Sequence, residues 1–150
     1  RRMNQQFKER KTNKIYWAIV GSDITPKAAS LVHWLKRDTK MNKSFAYEHE
    51  INHSKKAVLH YKKIICLDRY SVLEITLETG RHHQIRSQLT KIGFPIRGDL
   101  KYGAKRNNSD GSIDLHARSL RIYHPTTKKR IEILAPAPLK PQWNFALSGL

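Results

Sequence analysis

The sequence has a single cysteine, Cys66, so no disulfide can form within the chain; its place in the apolar run Ile64-Ile65-Cys66-Leu67 reads as a small buried hydrophobe. A reducing compartment is expected. Acidic residues are scarce, with 12 Asp plus Glu against 29 Lys plus Arg and a formal net charge of +17 at pH 7. Such an excess attracts polyanions at long range, and nucleic acid is the expected partner. There is no apolar run of about 18 residues and no signal-peptide core, which argues against a membrane span. Metal-ligand spacing is missing too. Eight histidines are present, but no HExxH or CxxC pattern holds them, and His82 and His83 as helix neighbours would diverge, so no metal is expected. Repeats, linkers and low-complexity segments are also lacking.

What is present fits one domain. A chain of 150 residues is long enough to bury roughly 70% of its unfolded surface, and 39% apolar with 27% charged residues marks it as globular rather than disordered. The first residues are Arg1 and Arg2, with Met3 third, so the chain reads as a part of something longer. Met3 to Lys8 resembles a helix end. NKIYWAIV, Asn13 to Val20, is β-branched and aromatic and stops at Gly21-Ser22-Asp23, as a strand does. Lys27 to Asn42 fits a short amphipathic helix or an extended segment equally well. Ala57 to Leu67 and Tyr70 to Glu78 read as an antiparallel hairpin joined at Asp68-Arg69, with Leu73, Ile75 and Leu77 alternating against polar neighbours. His82 to Ile92 places Ile85, Leu89 and Ile92 at i, i+4 and i+7, with Gly93 as a helix stop. Pro95 to Gly111 is loop-like. Arg118 to Tyr123 and Arg130 to Leu134 form a second hairpin across HPTTKK, and APAPLKP ends the regular structure before an apolar tail containing Trp143 and Phe145. The expected class is α+β, a mostly antiparallel mixed sheet with flanking helices, and residues 1–150 make one domain or part of one.

The densest chemistry lies in ETGRHHQIRSQL, Glu78 to Leu89. A helix starting just after Gly80 presents free backbone N–H groups and a positive dipole end, and Arg81 and Arg86 flank its first turn. The arrangement suits an anion. With Ile85 facing the core, Arg86 lies about 100° around the helix, at the border between core and solvent. Its fixed fork could reach a partly buried carboxylate or phosphate there, although a solvated helix arginine is the commoner use of such a position.

LETGRHHQIRSQLTKIGFPIRGDLKYG, Leu77 to Gly103, closely resembles the signature of the RluA-type pseudouridine synthases. The agreement continues in LHARSLRIYHP from Leu115, in the Ala-Pro-Ala-Pro stop, in KKAVLHY from Lys55 and in NKIYWAIV. The resemblance implies an isomerase without metal or cofactor that acts on ribosomal or transfer RNA. Such an enzyme flips a uridine out, cleaves its N1–C1′ bond, turns the base and rejoins it through C5. Unstacking a base costs a few kcal/mol, which a basic surface gripping the flanking phosphates would offset. Residue by residue, Arg86 matches the arginine that pairs with the catalytic aspartate, and a nearby guanidinium lowers a carboxylate pKa by about 1–3 units. Tyr16 matches the tyrosine that packs on the uracil and is a candidate for removing the C5 proton; a core strand tyrosine is the plainer alternative. Leu120 matches the apolar residue lining the uracil pocket, or is a core leucine. Arg81, His82 and Gln84 shape the turn or contact RNA, and His116 is structural.

One part of the family pattern is missing. The nucleophile stands in a His-Arg-Leu-Asp motif before the strand that carries the tyrosine, and none of Asp23, Asp38, Asp68, Asp99, Asp110 or Asp114 occupies such a motif. Asp68 follows a leucine but belongs to a hairpin turn. The chain is therefore expected to correspond to the C-terminal portion of the catalytic domain, to be inactive alone, and to self-associate through apolar surface that other sequence would cover. A cytoplasmic setting is expected. A non-catalytic basic RNA-binding module is the alternative.

Overall fold

The alternation of inward and outward side chains is carried through in a computed structural model, which describes residues 12–21 and 23–148. Seven strands form one sheet: β1 (Asn13–Gly21), β2 (Ala28–Asp38), β3 (Lys43–Tyr47), β4 (Lys55–Cys66), β5 (Tyr70–Leu77), β6 (Leu115–Tyr123) and β7 (Arg130–Leu134). Helix α1 (Gln84–Lys91) and a 3-10 turn (Leu100–Tyr102) fall between β5 and β6, and helix α2 (Pro141–Leu147) follows β7. The strand order is β3-β2-β4-β5-β1-β6-β7, and every pairing is antiparallel. The α+β class holds, with two helices on an antiparallel sheet among the described residues.

The two faces of the sheet carry separate cores. On one face Ala18 and Val20 of β1, Leu73 and Ile75 of β5, Leu59 and Tyr61 of β4 and Leu31 of β2 meet Ile85 and Leu89 of α1. On the other, Ile19, Val72 and Ile65 meet Trp143 and Ala146 of α2. Each buried aliphatic side chain contributes about 1.5–3 kcal/mol, so these contacts, and not intrinsic propensity, hold two helices of 8 and 7 residues. Truncating the fully buried Leu89 to alanine would remove about 2–5 kcal/mol and detach α1 from its face.

The strands β1, β4, β5, β6 and β7 and the helix around Ile85 lie where periodicity puts them. Elsewhere the structure decides what was open or corrects the expectation. The ambiguous Lys27–Asn42 stretch is extended: Leu31, His33 and Leu35 point inward and are buried, and the turn at Thr39–Asn42 leads into β3. Cys66 is exposed: Ile65 takes the place in the α2-side core, and Cys66, on the opposite face at the last position of β4, sets its Sγ 3.4 Å from Asp23 Oδ1 at the surface. The C-terminal tail is helical, since Pro141 stands in the first turn of α2, where its missing N–H costs nothing. Helix α1 starts at Gln84 and not at His82. The expected helix end at Met3 to Lys8 lies outside the described residues.

Gly98 is required by its surroundings. Its φ is +85°, and an added Cβ would stand 2.6 Å from the Ser112 carbonyl oxygen and 2.8 Å from Asn108 Nδ2. The loop at 107–112 therefore packs directly on the backbone that leads into Asp99.

Candidate active-site region at the start of helix α1

The turn between β5 and α1 is organised from inside by Gln84. This side chain is only 3% exposed, and its Oε1 accepts from Thr79 Oγ1 at 2.8 Å and from the Arg81 N–H at 2.9 Å. Its Nε2 donates to the Val58 carbonyl at 3.1 Å. Both acceptor sites of Oε1 are thus used inside the turn, while Nε2 has given one of its two N–H groups. Arg81 reaches back to the start of β4, its Nε donating to the Lys56 carbonyl at 3.1 Å.

His83 takes a left-handed conformation with φ 50° at the N-cap of α1. The two histidines consequently do not diverge: their rings stack with centroids 3.8 Å apart. His82 is held by Ser44 Oγ at 2.9 Å and Asn42 Oδ1 at 3.1 Å. Burial, with the nearby cations Arg37, Arg86 and Lys101, lowers its pKa from the ordinary histidine value.

Arg86 is at the border of core and solvent, as helical geometry requires. Its Nε donates to Asp99 Oδ2 and its Nη2 to Asp99 Oδ1, both at 2.7 Å, forming a bidentate pair with a carboxylate that is 1% exposed. Nη1 donates to His83 Nε2 at 3.0 Å, and the guanidinium lies 4.7 Å from the centre of the Tyr102 ring. A guanidinium only donates, so Nε2 must be unprotonated and His83 carries its hydrogen on Nδ1, which donates to the Tyr102 hydroxyl at 3.0 Å. That hydroxyl also accepts from the Ser44 N–H at 2.8 Å. Burial, reinforced by the charges of Arg86 and Lys101, pushes the His83 pKa down to about 4, consistent with a neutral ring.

Asp99, His83, Tyr102 and Ser44 thus lock Arg86 in one orientation, and none of the four is evident as its partner from sequence. Asp99 and Tyr102 lie 13 and 16 residues beyond Arg86, inside what reads as turn signals. Three of the five guanidinium N–H groups are committed among the described residues, leaving two for a further acceptor. Asp99 itself is sealed at 1% exposure with both oxygens bonded to Arg86, which unsuits it as a nucleophile.

Tyr16 and Leu120 form a second group on the same face of the sheet. Tyr16 packs against the α1-side core, opposite Ile75 of β5 and Ala117 of β6. Burial raises its pKa above the ordinary phenol value, so at neutral pH it is an uncharged ring with an O–H. Leu120 is half-buried and stands opposite Lys14, two positions from Tyr16. No hydrogen bond or ring contact joins Tyr16 to Arg86 among the described residues. His116 is structural, its Nε2 donating to the Ala135 carbonyl at 3.2 Å beside Trp143. Asp68 is exposed in the β4–β5 turn, far from these groups in the fold. Two surface depressions of about 340 and 270 Å³ flank α2 and touch neither Arg86 nor Tyr16.

The RNA pseudouridylate synthase family pattern matches residues 1–91, which include β1, the β4–β5 hairpin and all of α1. The chain belongs to that family. Ribosomal large subunit pseudouridine synthase D of Borreliella burgdorferi is 35% identical over 123 residues, covering 79% of this chain and 36% of that protein. The uncharacterized RNA pseudouridine synthase YlyB of Bacillus subtilis is 34% identical over 136 residues, covering 91% of this chain and 44% of its own length. The chain thus spans less than half the length of these relatives. The fold is shared with human RNA pseudouridylate synthase domain containing 1, at a TM-score of 0.76 and 25% identity over 95% of this chain and 62% of that one.

Proposed function

We propose that this chain is the C-terminal portion of the catalytic domain of an RNA pseudouridine synthase, forming the arginine and tyrosine side of the site that receives a uridine of ribosomal or transfer RNA. The observation that carries the proposal is the state of Arg86: oriented by Asp99 and His83, 17% exposed, and left with N–H groups for a second anion. In that role it would hold a catalytic carboxylate ionised and aimed, a preorganised interaction that needs no rearrangement during reaction. The nucleophilic aspartate is supplied by sequence other than the six aspartates present. Tyr16, neutral and half-buried, offers the uracil a flat apolar wall with one donor, and Leu120 extends that wall on the same face. Its raised pKa favours the packing role over removal of the C5 proton, because a phenolate is scarce at neutral pH.

The formal charge of +17 supplies the grip on phosphates that base flipping needs. No described helix is long and apolar enough to cross a membrane, and an RNA substrate would place the work in the cytoplasm. The expected self-association would use the apolar side chains left uncovered around β7 and α2. Ile133, Leu134, Leu139 and Phe145 are 51%, 60%, 94% and 68% exposed, and sedimentation velocity over a concentration series measures their effect.

The test is Arg86→Lys in the complete product of the gene, a change that keeps a cation beside Asp99 while removing the fork. Turnover on RNA should fall by at least about a hundredfold with RNA affinity nearly unchanged. Equal losses in both would leave Arg86 as a structural residue of an RNA-binding module.

A further inference from the structure

The sheet face that carries α2 is covered by that helix only around Ile19, Val72 and Ile65. Over β3, β2 and β4 the same face is open among the described residues, and its composition is unusual. Trp34 of β2 stands directly opposite Tyr47 of β3 on one side and Lys56 of β4 on the other. Lys36 stands opposite Phe45, and Val32 opposite Val58. Directly opposed residues of an antiparallel pair share a face, so three aromatic rings, two lysines and two valines form one block three strands wide. The burial pattern shows the two sides: Leu31, His33 and Leu35 of β2 are buried on the α1 side, while Val32 and Tyr47 are 41% and 36% exposed and Trp34, Lys36 and Phe45 are half-buried.

We infer that this block is a second RNA-binding surface, a stacking platform for single-stranded nucleotides on the side of the sheet away from Arg86 and Tyr16. Aromatic rings on an open sheet stack bases irrespective of sequence, and lysines between them follow the phosphates. Charge selects the occupant. Glu48, next to Tyr47, is turned toward the α1 side, where its Oε1 lies 3.6 Å from Lys91 Nζ, and Glu78 is bonded to His60 at 2.7 Å. Lys36 and Lys56 have no acidic partner among the described residues, and the Arg81 guanidinium, bonded to the Lys56 carbonyl, adds a third cation at the end of β4. An acidic or apolar protein partner would satisfy the charge or the rings but not both; a single strand satisfies both. The platform goes beyond the proposed uridine site and does not depend on turnover.

The experiment is fluorescence anisotropy of the 150-residue chain with a labelled single-stranded oligouridine of about 12 nucleotides, over a series of salt concentrations. Trp34→Leu and Tyr47→Ala should each weaken binding about tenfold while leaving the salt slope unchanged. Lys36→Ala with Lys56→Ala should lower the slope by about 0.7 per lysine, as expected for single strands. Thr126→Ala, exposed in the β6–β7 turn at the opposite end of the sheet, should do neither, and thermal melting followed by circular dichroism confirms that each variant is folded. Binding within twofold of the parent for both folded aromatic variants would overturn the platform, including the case in which a protein occupies it. Arg86→Lys in the same assay separates the two sites: a platform failure leaves the uridine-site proposal standing, and the reverse also holds.

Discussion

Arg86 and Asp99 form a pair whose two halves should differ in cost. Removing the guanidinium by Arg86→Ala leaves a carboxylate that is 1% exposed without its countercharge, whereas Asp99→Ala leaves a guanidinium that is 17% exposed and still bonded to His83. Breaking a buried pair costs about 3–5 kcal/mol, since the remaining charge stays desolvated. The better-buried partner left alone belongs at the upper end, so Arg86→Ala is expected to cost about 4–5 kcal/mol and Asp99→Ala about 3. With a urea m-value of about 2 kcal/mol per molar, the midpoints should fall by about 2 M and about 1.5 M respectively, with m unchanged. Replacing both residues by apolar ones should cost less than the sum of the single changes, because no charge is then stranded. Urea unfolding of the four proteins at one concentration gives these numbers. Losses below about 1 kcal/mol for Arg86→Ala, or additive losses in the double variant, would refute the picture of a buried, mutually dependent pair.

Other expectations follow from single contacts. His83 is held neutral with a pKa of about 4, so the unfolded chain, titrating near 6.5, binds the proton first, and stability falls as pH drops from about 6.5 toward 4. His83→Asn, which tolerates the left-handed backbone, should flatten that fall by about 1–2 kcal/mol in pH-dependent unfolding; the lowered pKa values of His33 and His82 act in the same direction and should retain the remainder. Gln84→Ala strands the Arg81 N–H and removes one donor from the Val58 carbonyl, which keeps that of the Glu78 N–H, and should cost about 1–2 kcal/mol by urea unfolding. Gly98→Ala must place a Cβ 2.6 Å from the Ser112 carbonyl at φ +85°, and should lower stability by more than about 2 kcal/mol in the same measurement. Exposed Cys66 should react with a thiol reagent in the folded protein within about tenfold of its rate in the unfolded chain, a result a buried thiol would not give.

Most of the sheet was legible because its strands show a clean period of two, as in Leu73, Ile75 and Leu77, or end at unmistakable turns such as Asp68-Arg69. The β2–β3 hairpin was not, because Leu31, Trp34 and Leu35 also satisfy helical spacing and only the sheet shows that Trp34 points the opposite way from its neighbours. Helix α2 was hidden by Pro141, which punctuates a chain equally well as a stop or as the first residue of a helix. In the candidate site, the border position of Arg86 followed from Ile85 and Leu89. Its partners did not, because the Arg86–Asp99 pair spans 13 residues and the Tyr102–Ser44 bond spans 58, and no local pattern encodes a loop folding back over a helix start. The stacking of His82 on His83 depended on one left-handed φ at a non-glycine residue, a conformation that sequence rarely announces.

The most direct test is tritium release from RNA labelled at uridine C5, since forming a carbon–carbon link at that atom must expel its hydrogen. The complete product of the gene is expected to release tritium and the 150-residue chain alone is not, with the nucleophile supplied by sequence other than these six aspartates. RNA binding without release from the complete product would contradict the synthase assignment, and release from the 150-residue chain would mean that one of its own carboxylates performs the chemistry.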